Sequence, residues 1–266
     1  MWAAGANDFG QLGIDSNKHI MMKTFVKVVS GCAIAVATGS SHSMVLKQDG
    51  SVWCTGRNIY GQLGDNLNID SYKFVKVIPK GAKGIAAGSK HSLVVMQDGT
   101  VWATGENKYG QLGDGTRTVR YFMHPVAKQA KAIAAGYDYT LVLKQDGAVW
   151  ATGRNNFGQL GDGTTTSRSA FVEVVSSSDV ITSTVLVVAA GDGHSMLLKY
   201  DGSLWATGVN GCGQVGDGTM LSKTVFVRVL PSDGACCMVL GADDFKCYRQ
   251  LLPSSCLLYT SPSPRD

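Results

Sequence analysis

Three observations predict an all-β fold built from repeated four-stranded sheets, the β-propeller architecture. One stretch recurs: residues 144–164 read K-Q-D-G-A-V-W-A-T-G-R-N-N-F-G-Q-L-G-D-G-T, and copies of it surround Trp2, Trp53, Trp102, Trp150 and Trp205. A period of about 50 residues marks a stacked or ring-like repeat architecture. Each complete copy also places an Asp-Gly between two apolar runs, the strongest short-range hairpin signal, because the tight turn needs positive φ. Finally, the 33 glycines exceed the usual share of about 7% and fall mostly in Asp-Gly, Gly-Asp-Gly or Ala-Gly contexts, which suits many short strands and almost no helix.

One full unit is clearest between residues 83 and 127. Gly84-Ile85-Ala86-Ala87-Gly88 is a short strand of small residues, suited to the crowded centre of a radial arrangement. His91-Ser92-Leu93-Val94-Val95-Met96 follows as a continuous apolar run of the kind buried on both faces. Asp98-Gly99 turns the chain, and Thr100-Val101-Trp102-Ala103-Thr104 returns as the third strand. After the loop at 105–116, Phe122-Met123-His124-Pro125-Val126 is the fourth strand, with sister segments beginning at Phe25, Phe74, Phe171 and Phe226. Their middle positions carry Lys27, Lys76, Glu173 and Arg228, and Pro125 interrupts one copy, so this strand forms a guarded outer edge.

The string A-A-G-x-x-H-S, then D-G-x-V-W-x-x-G-x-N-x-x-G-Q-L-G-D, resembles the repeat of the family called regulator of chromosome condensation, or RCC1-like, over about residues 1 to 230. The resemblance implies a seven-bladed propeller, and this chain has fewer blades. Four complete blades are expected at about 33–78, 84–127, 132–175 and 185–230. Half-blades are expected at 1–29, supplying third and fourth strands, and at 236–250, supplying a degraded first and second strand. The two half-blades close a small five-bladed ring, or the chain is an open arc; the blade angles implied by the resemblance favour the arc. Residues 251–266 share nothing with the repeats and are set apart as a non-native or disordered tail; the stretch from Cys256 resembles a translated sequencing adapter.

Net charge of +4 with scattered Lys and Arg gives no nucleic-acid signal, so no direct nucleic-acid partner is expected. No apolar run reaches the roughly 20 residues of a membrane span, so no membrane partner is expected either. The seven cysteines are odd in number and lack a C-x-x-C pair. With no signal peptide legible at Met1-Trp2-Ala3, they point to free thiols in a reducing compartment, cytoplasmic or nuclear.

In a repeat protein, recurring positions serve packing and variable ones serve the partner. Asn7, Asn58, Asn107, Asn155 and Asn210 recur, and bonding to backbone in a turn explains them. Asp65, Asp114, Asp162 and Asp217 sit in turns without the alternating acids of a calcium loop. His42, His91 and His194 share a place that Tyr139 takes in the remaining blade; a hydrogen bond to neighbouring backbone accounts for them better than a metal ring. The five tryptophans are expected in the core. No metal, cofactor or catalytic residue is predicted.

Antiparallel order puts the loops between strands one and two on the same side as those between strands three and four, opposite the Asp-Gly hairpins. The variable residues of that loop side supply the predicted partner contacts: Arg57, Lys90, Arg120, Tyr121, Tyr137, Asp138 and Arg154. The resemblance implies a protein-binding platform. The alternative it implies is guanine-nucleotide exchange on a small GTPase with chromatin binding, or the propeller portion of a larger ubiquitin ligase. The exchange activity of the founding family member relies on an inserted wedge. Trp-to-Trp spacings of 51, 49, 48 and 55 residues leave little room for one. Ultraviolet sensing, known in a plant branch with a G-W-R-H-T motif, is set aside because Gly88-Ser89-Lys90-His91-Ser92 carries no Trp.

Overall fold

A computed structural model describes residues 1–15, 21–176 and 184–231. Its described elements are eighteen β-strands. The first two, β1 (Trp2–Ala6) and β2 (Met21–Lys27), pair antiparallel as a two-stranded sheet, as expected for the first half-blade. Four sheets of four antiparallel strands follow. The first holds β3 (Ala33–Thr38), β4 (His42–Lys47), β5 (Val52–Gly56) and β6 (Ser71–Ile78), the second β7 (Ala82–Ala87), β8 (His91–Met96), β9 (Val101–Gly105) and β10 (Arg120–Ala127). The third holds β11 (Ala130–Ala135), β12 (Tyr139–Lys144), β13 (Val149–Gly153) and β14 (Arg168–Val175), the fourth β15 (Val185–Ala190), β16 (His194–Lys199), β17 (Leu204–Gly208) and β18 (Lys223–Leu230). The segment at 236–250 and the tail lie outside the described residues.

The hairpins form where Asp-Gly predicts them. Gly50, Gly99, Gly147 and Gly202 adopt φ of 75°, 83°, 90° and 80°, and Asp49 Oδ1 accepts the Ser51 amide at 2.9 Å. The same arrangement recurs with Asp98, Asp146 and Asp201. First strands of consecutive sheets touch one another, β3 with β7, β7 with β11 and β11 with β15. The small residues therefore converge at the centre, where Ala86, Ala87, Ala135 and Ala190 are buried.

The hydrophobic cores lie between sheets. Met44, Leu46, Val52, Cys54, Leu63 and Ile78 of one sheet pack against Ala82, Ile85, Ala87, Val94 and Met123 of the next. Two further clusters repeat this arrangement along the chain, whereas the cluster around Met196, Leu204, Ala206 and Val215 draws on the last sheet alone. Among the described residues no core cluster joins the last sheet to the first half-sheet. The inner strand at the open end shows the same: Val36 is 51% exposed, while its counterparts Ile85, Ile133 and Val188 are 4%, 8% and 7% exposed.

The G-Q-L-G loop is the recurrent joint. Gly13, Gly113 and Gly161 adopt φ of 68°, 74° and 78° and lie flat against the rings of Phe74, Phe171 and Phe226 in the following sheet. A Cβ on any of them would sit within 2.5 Å of those rings. Thr104 Oγ1 links the same elements by donating to the carbonyls of Gly61 and Arg120, 2.8 Å each. Thr55, Thr152 and Thr207 make the equivalent links.

Two expectations need correction. Gly64 meets Met123 where its counterparts meet phenylalanine, so Met123, not Phe122, matches Phe74, Phe171 and Phe226; the fourth strand of this sheet is displaced by one residue from the sequence alignment. A one-residue slip exchanges inside for outside in a strand, and Phe122 accordingly faces out. The tryptophans are half-buried rather than core, and Trp2 is 62% exposed. Three of the rings lie under lysine ammonium groups, with Lys47 at 4.2 Å from Trp53, Lys144 at 5.2 Å from Trp150 and Lys199 at 4.6 Å from Trp205, and the indole N–H groups of Trp53 and Trp205 donate to Ser51 and Ser203.

Candidate partner-binding face

The loops on one side of the array are held rigid by the recurring asparagine. Asn58 Oδ1 accepts the Leu63 amide at 3.0 Å while its Nδ2 donates to Asp65 Oδ1 at 2.9 Å. Asn107, Asn155 and Asn210 repeat both bonds. The turn role read from the sequence is what the structure shows. The recurring aspartates cap the same turns: Asp114 Oδ1 accepts from the Thr116 amide at 2.9 Å and hydroxyl at 2.7 Å. Burial raises the Asp114 carboxyl, but hydrogen bonds from Thr116, Arg120 and Asn107 outweigh it and leave its pKa below the ordinary value.

Arg120 belongs to this scaffold. Its guanidinium lies 2.7 Å from Asp114 Oδ2, and Arg168–Asp162 and Lys223–Asp217 repeat the pair at 2.7 and 2.8 Å. Arg120 and Tyr121 open β10 instead of standing on a loop, and Tyr121 rests its backbone against Gly61. Tyr121 keeps its ring partly in solvent.

The remaining predicted contacts meet across the joints. The Arg57 guanidinium lies 4.6 Å from the Phe9 ring, Lys90 Nζ 4.8 Å from Tyr60, and the Arg154 guanidinium 5.2 Å from Tyr109. Each cation thus sits on an aromatic ring from the preceding loop, an arrangement worth about 0.5–2 kcal/mol depending on exposure. Lys90 also approaches Glu106 at 3.7 Å, and Arg154 approaches Asp138 at 3.7 Å. Asp138 is buried, and burial first, with the Glu106 charge second, pushes its carboxyl above the usual range against the pull of Arg154 and Lys90. Lys90, Glu106, Asp138 and Arg154 therefore form one electrostatic cluster, beside which Tyr137 is exposed. Arg57 lies one joint away with Phe9.

Sequence reasoning passed over the aromatic platforms Phe9, Tyr60 and Tyr109. Their signal was present: the second residue after the recurring asparagine is Phe9, Tyr60, Tyr109 or Phe157, and Cys212 in the last copy.

His42 and His91 occupy buried positions between sheets, and their partners differ from the neighbouring backbone expected, while His194 in the last sheet is partly exposed. His42 Nε2 lies 2.9 Å from Ser92 Oγ of the next sheet, and His91 Nε2 3.2 Å from Thr140 Oγ1. Ser92 gives its one hydroxyl proton to the Gln62 carbonyl at 2.6 Å, and Thr140 gives its own to Gln111 at 2.7 Å. Each histidine must therefore donate from Nε2–H, leaving Nδ1 as a bare lone pair, and both Nδ1 atoms are buried without a partner. Burial lowers the pKa of His42 to about 4 and of His91 to about 3, so both are neutral. Tyr139 in the equivalent place directs its hydroxyl at the His194 carbonyl, 2.5 Å away, with the Gly191 carbonyl at 3.1 Å. Among the described residues, no three His, Cys, Asp or Glu side chains converge as metal ligands.

Comparison with known proteins agrees with this geometry. The human protein WBSCR16 superposes with a TM-score of 0.76 at 22% identity, over 86% of this chain and 62% of that one. Yeast RCC1 (Prp20), solved bound to Kap60, superposes at 0.71 and 22% identity, over 86% of this chain and 56% of that one. Among curated sequences, an RCC2 homolog of Xenopus laevis is 37% identical over 65 residues, 24% of this chain and 13% of that protein. A secretion-regulating guanine nucleotide exchange factor of Bos taurus is 37% identical over 68 residues, 24% of this chain and 14% of its own length. The chain thus spans about three fifths of the solved relatives and a much smaller share of the curated ones. The profile of the RCC1-like domain matches residues 1–243, and on that match, together with the four-stranded sheets and their G-Q-L-G joints, the chain belongs to the RCC1-like domain family.

Proposed function

We propose that the chain is a non-catalytic interaction scaffold whose loop face holds a protein partner. The observation that carries this reading is the row of cations laid on aromatic rings across successive joints, Arg57 on Phe9, Lys90 on Tyr60 and Arg154 on Tyr109. Such stacking fixes long side chains before a partner arrives, which lowers the entropy lost on binding. Exposed Ile59, Tyr137 and Phe157 stand on the same face, and arginine and tyrosine are the residues most often responsible for interface energy. Asp138 holds Arg154 in place, while Arg120 and Tyr121 contribute at the outer margin, Arg120 through its pair with Asp114.

A small GTPase is the first partner class to test. The Bos taurus relative is named as a guanine nucleotide exchange factor, and the yeast structural relative was solved in work on its binding to Gsp1p and histones. Exchange activity itself is the second reading, and the Trp-to-Trp spacings leave little room for a wedge within these repeats. Free Cys32, Cys54 and Cys212 suit a cytoplasmic or nuclear setting.

The test is a binding titration against a panel of GTP- and GDP-loaded small GTPases, comparing the unaltered chain with the triple variant Arg57→Ala, Tyr137→Ala, Arg154→Ala. Affinity falls at least about tenfold while the thermal melt holds, as expected when interface anchors are lost. Undiminished binding by the triple variant rejects this face. Accelerated nucleotide release rejects the scaffold reading in favour of exchange.

A further inference from the structure

Antiparallel order divides the array into two sides, and the pairing of charge divides with it. Every ion pair among the described residues lies on or beside the loop side, from Lys73–Asp15 to Lys223–Asp217. On the opposite side emerge the Asp-Gly hairpins and the connections between sheets. There, among the described residues, no lysine forms an ion pair.

Four of these lysines gather at one interior joint, around the connection from β10 to β11. Lys83 Nζ, from β7, donates to the Ala130 carbonyl at 3.1 Å, and Lys144 Nζ, from β12, donates to the Lys128 carbonyl. Lys128 is exposed in the connection itself and Lys131 at the start of β11. The hairpins on either side grip the same short stretch: the Ala130 amide donates to the Gly99 carbonyl at 2.8 Å, and the Gln145 amide to the Gln129 carbonyl at 2.9 Å. Two ammonium groups are thus fixed by backbone carbonyls. An ammonium has three N–H donors, so each keeps donors for an anion.

The surroundings limit which anion fits. Asp98 and Asp146 accept the amides of Thr100 and Ala148 in the two gripping hairpins, so a fixed negative charge stands on each side of the lysines. A long, uniform polyanion such as a nucleic-acid duplex or a charged bilayer is repelled at both, whereas a short flexible run of carboxylates lies between them. Trp150 and Tyr200 already carry Lys144 at 5.2 Å and Lys131 at 5.5 Å, so these ring faces are taken and offer no platform to a stacked base.

We infer that the hairpin side binds an acidic, extended segment of a protein partner, its carboxylates received by Lys83, Lys128, Lys131 and Lys144. This surface lies opposite the loop face, so the two can be occupied at once.

Fluorescence anisotropy with a labelled octaglutamate peptide at low ionic strength tests this. The peptide binds, and added salt weakens it steeply. Changing Lys83, Lys128, Lys131 and Lys144 together to Gln lowers affinity at least about tenfold, since an exposed ion pair is worth up to about fivefold. Lys128→Gln with Lys131→Gln, at exposed side chains, lowers it at least about threefold with an unchanged thermal melt. A charge-matched control away from the hairpins, Lys23→Gln, Lys73→Gln, Lys108→Gln and Arg117→Gln, leaves affinity within about twofold. So does the loop-face variant Arg57→Ala, Tyr137→Ala, Arg154→Ala, which separates this surface from the one proposed above. No binding of the peptide overturns the inference, as does equal loss in the charge-matched control, which would mean attraction by net charge alone. Tighter binding of a DNA duplex or of phosphatidylserine vesicles than of the peptide overturns the choice of a protein segment.

Discussion

Acidification from pH 7.5 to 5 is expected to weaken this fold through His42 and His91 before the turn-capping carboxylates of Asp114 and Asp162 are protonated. Both rings are fully buried, and burial holds their pKa values at about 4 and about 3, against 6.5 for a histidine in water. Because the folded values lie below the unfolded one, the unfolded chain binds protons first. Stability is complete above pH 6.5 and falls as pH drops toward 4. At about 1.4 kcal/mol per unit, each histidine contributes a loss of roughly 2 kcal/mol by pH 5, so the pair removes about 4 kcal/mol. That is a large part of the about 5–15 kcal/mol typical of a folded domain. Asp114 and Asp162 have lowered pKa values, so their contribution is present above the ordinary carboxylate range and is lost only at lower pH. The two windows therefore separate. Urea unfolding at pH 7.5, 6 and 5 measures the slope, and a His42→Gln, His91→Gln double variant removes the two titrating groups. Equal stability at all three pH values, or an unchanged slope in the double variant, would refute the buried neutral state assigned to these rings.

Thr104→Val removes a donor shared by the Gly61 and Arg120 carbonyls, and the loss of about 1–3 kcal/mol appears in the urea midpoint. Asn107→Ala leaves the buried Leu112 amide without its partner and takes one of several donors from Asp114, and is expected to cost a similar about 1–3 kcal/mol by the same measurement. Gly88→Ala puts a methyl 2.2 Å from His91 Cε1 and 2.5 Å from the Gly136 carbonyl, so the thermal melt drops sharply. Arg154→Ala changes the melt little, because its group is partly exposed and paired with Asp138 at only 3.7 Å.

The repeats, the hairpins and the four-sheet count were legible because each rests on a local rule: Asp-Gly demands a turn, and an apolar run beside it demands a buried strand. The displacement in β10 was not. Phe122 and Met123 are both apolar, so periodicity cannot say which faces inward; only the contact with Gly64 in the preceding sheet decides it. The same limit hid the histidine partners, since Ser92 and Thr140 lie about a full repeat away from His42 and His91. The tryptophans were misplaced because ring size argues for burial while Lys47 and Lys199 cover them from outside instead. On the candidate face, variable charged residues were visible in the sequence, but not that Arg120 repeats a fixed ion pair or that Phe9, Tyr60 and Tyr109 carry the cations.

Since the three larger cores are each shared by two adjacent sheets, the interior blades depend on their neighbours for much of their buried surface. Loss of order should therefore spread inward from the termini like a zipper opening, with amide protons of β1 and β2 exchanging first and those of β8 and β12 last. Damage at any one loop is felt chiefly by its immediate neighbour, which leaves distant loops free to diversify without endangering the rest.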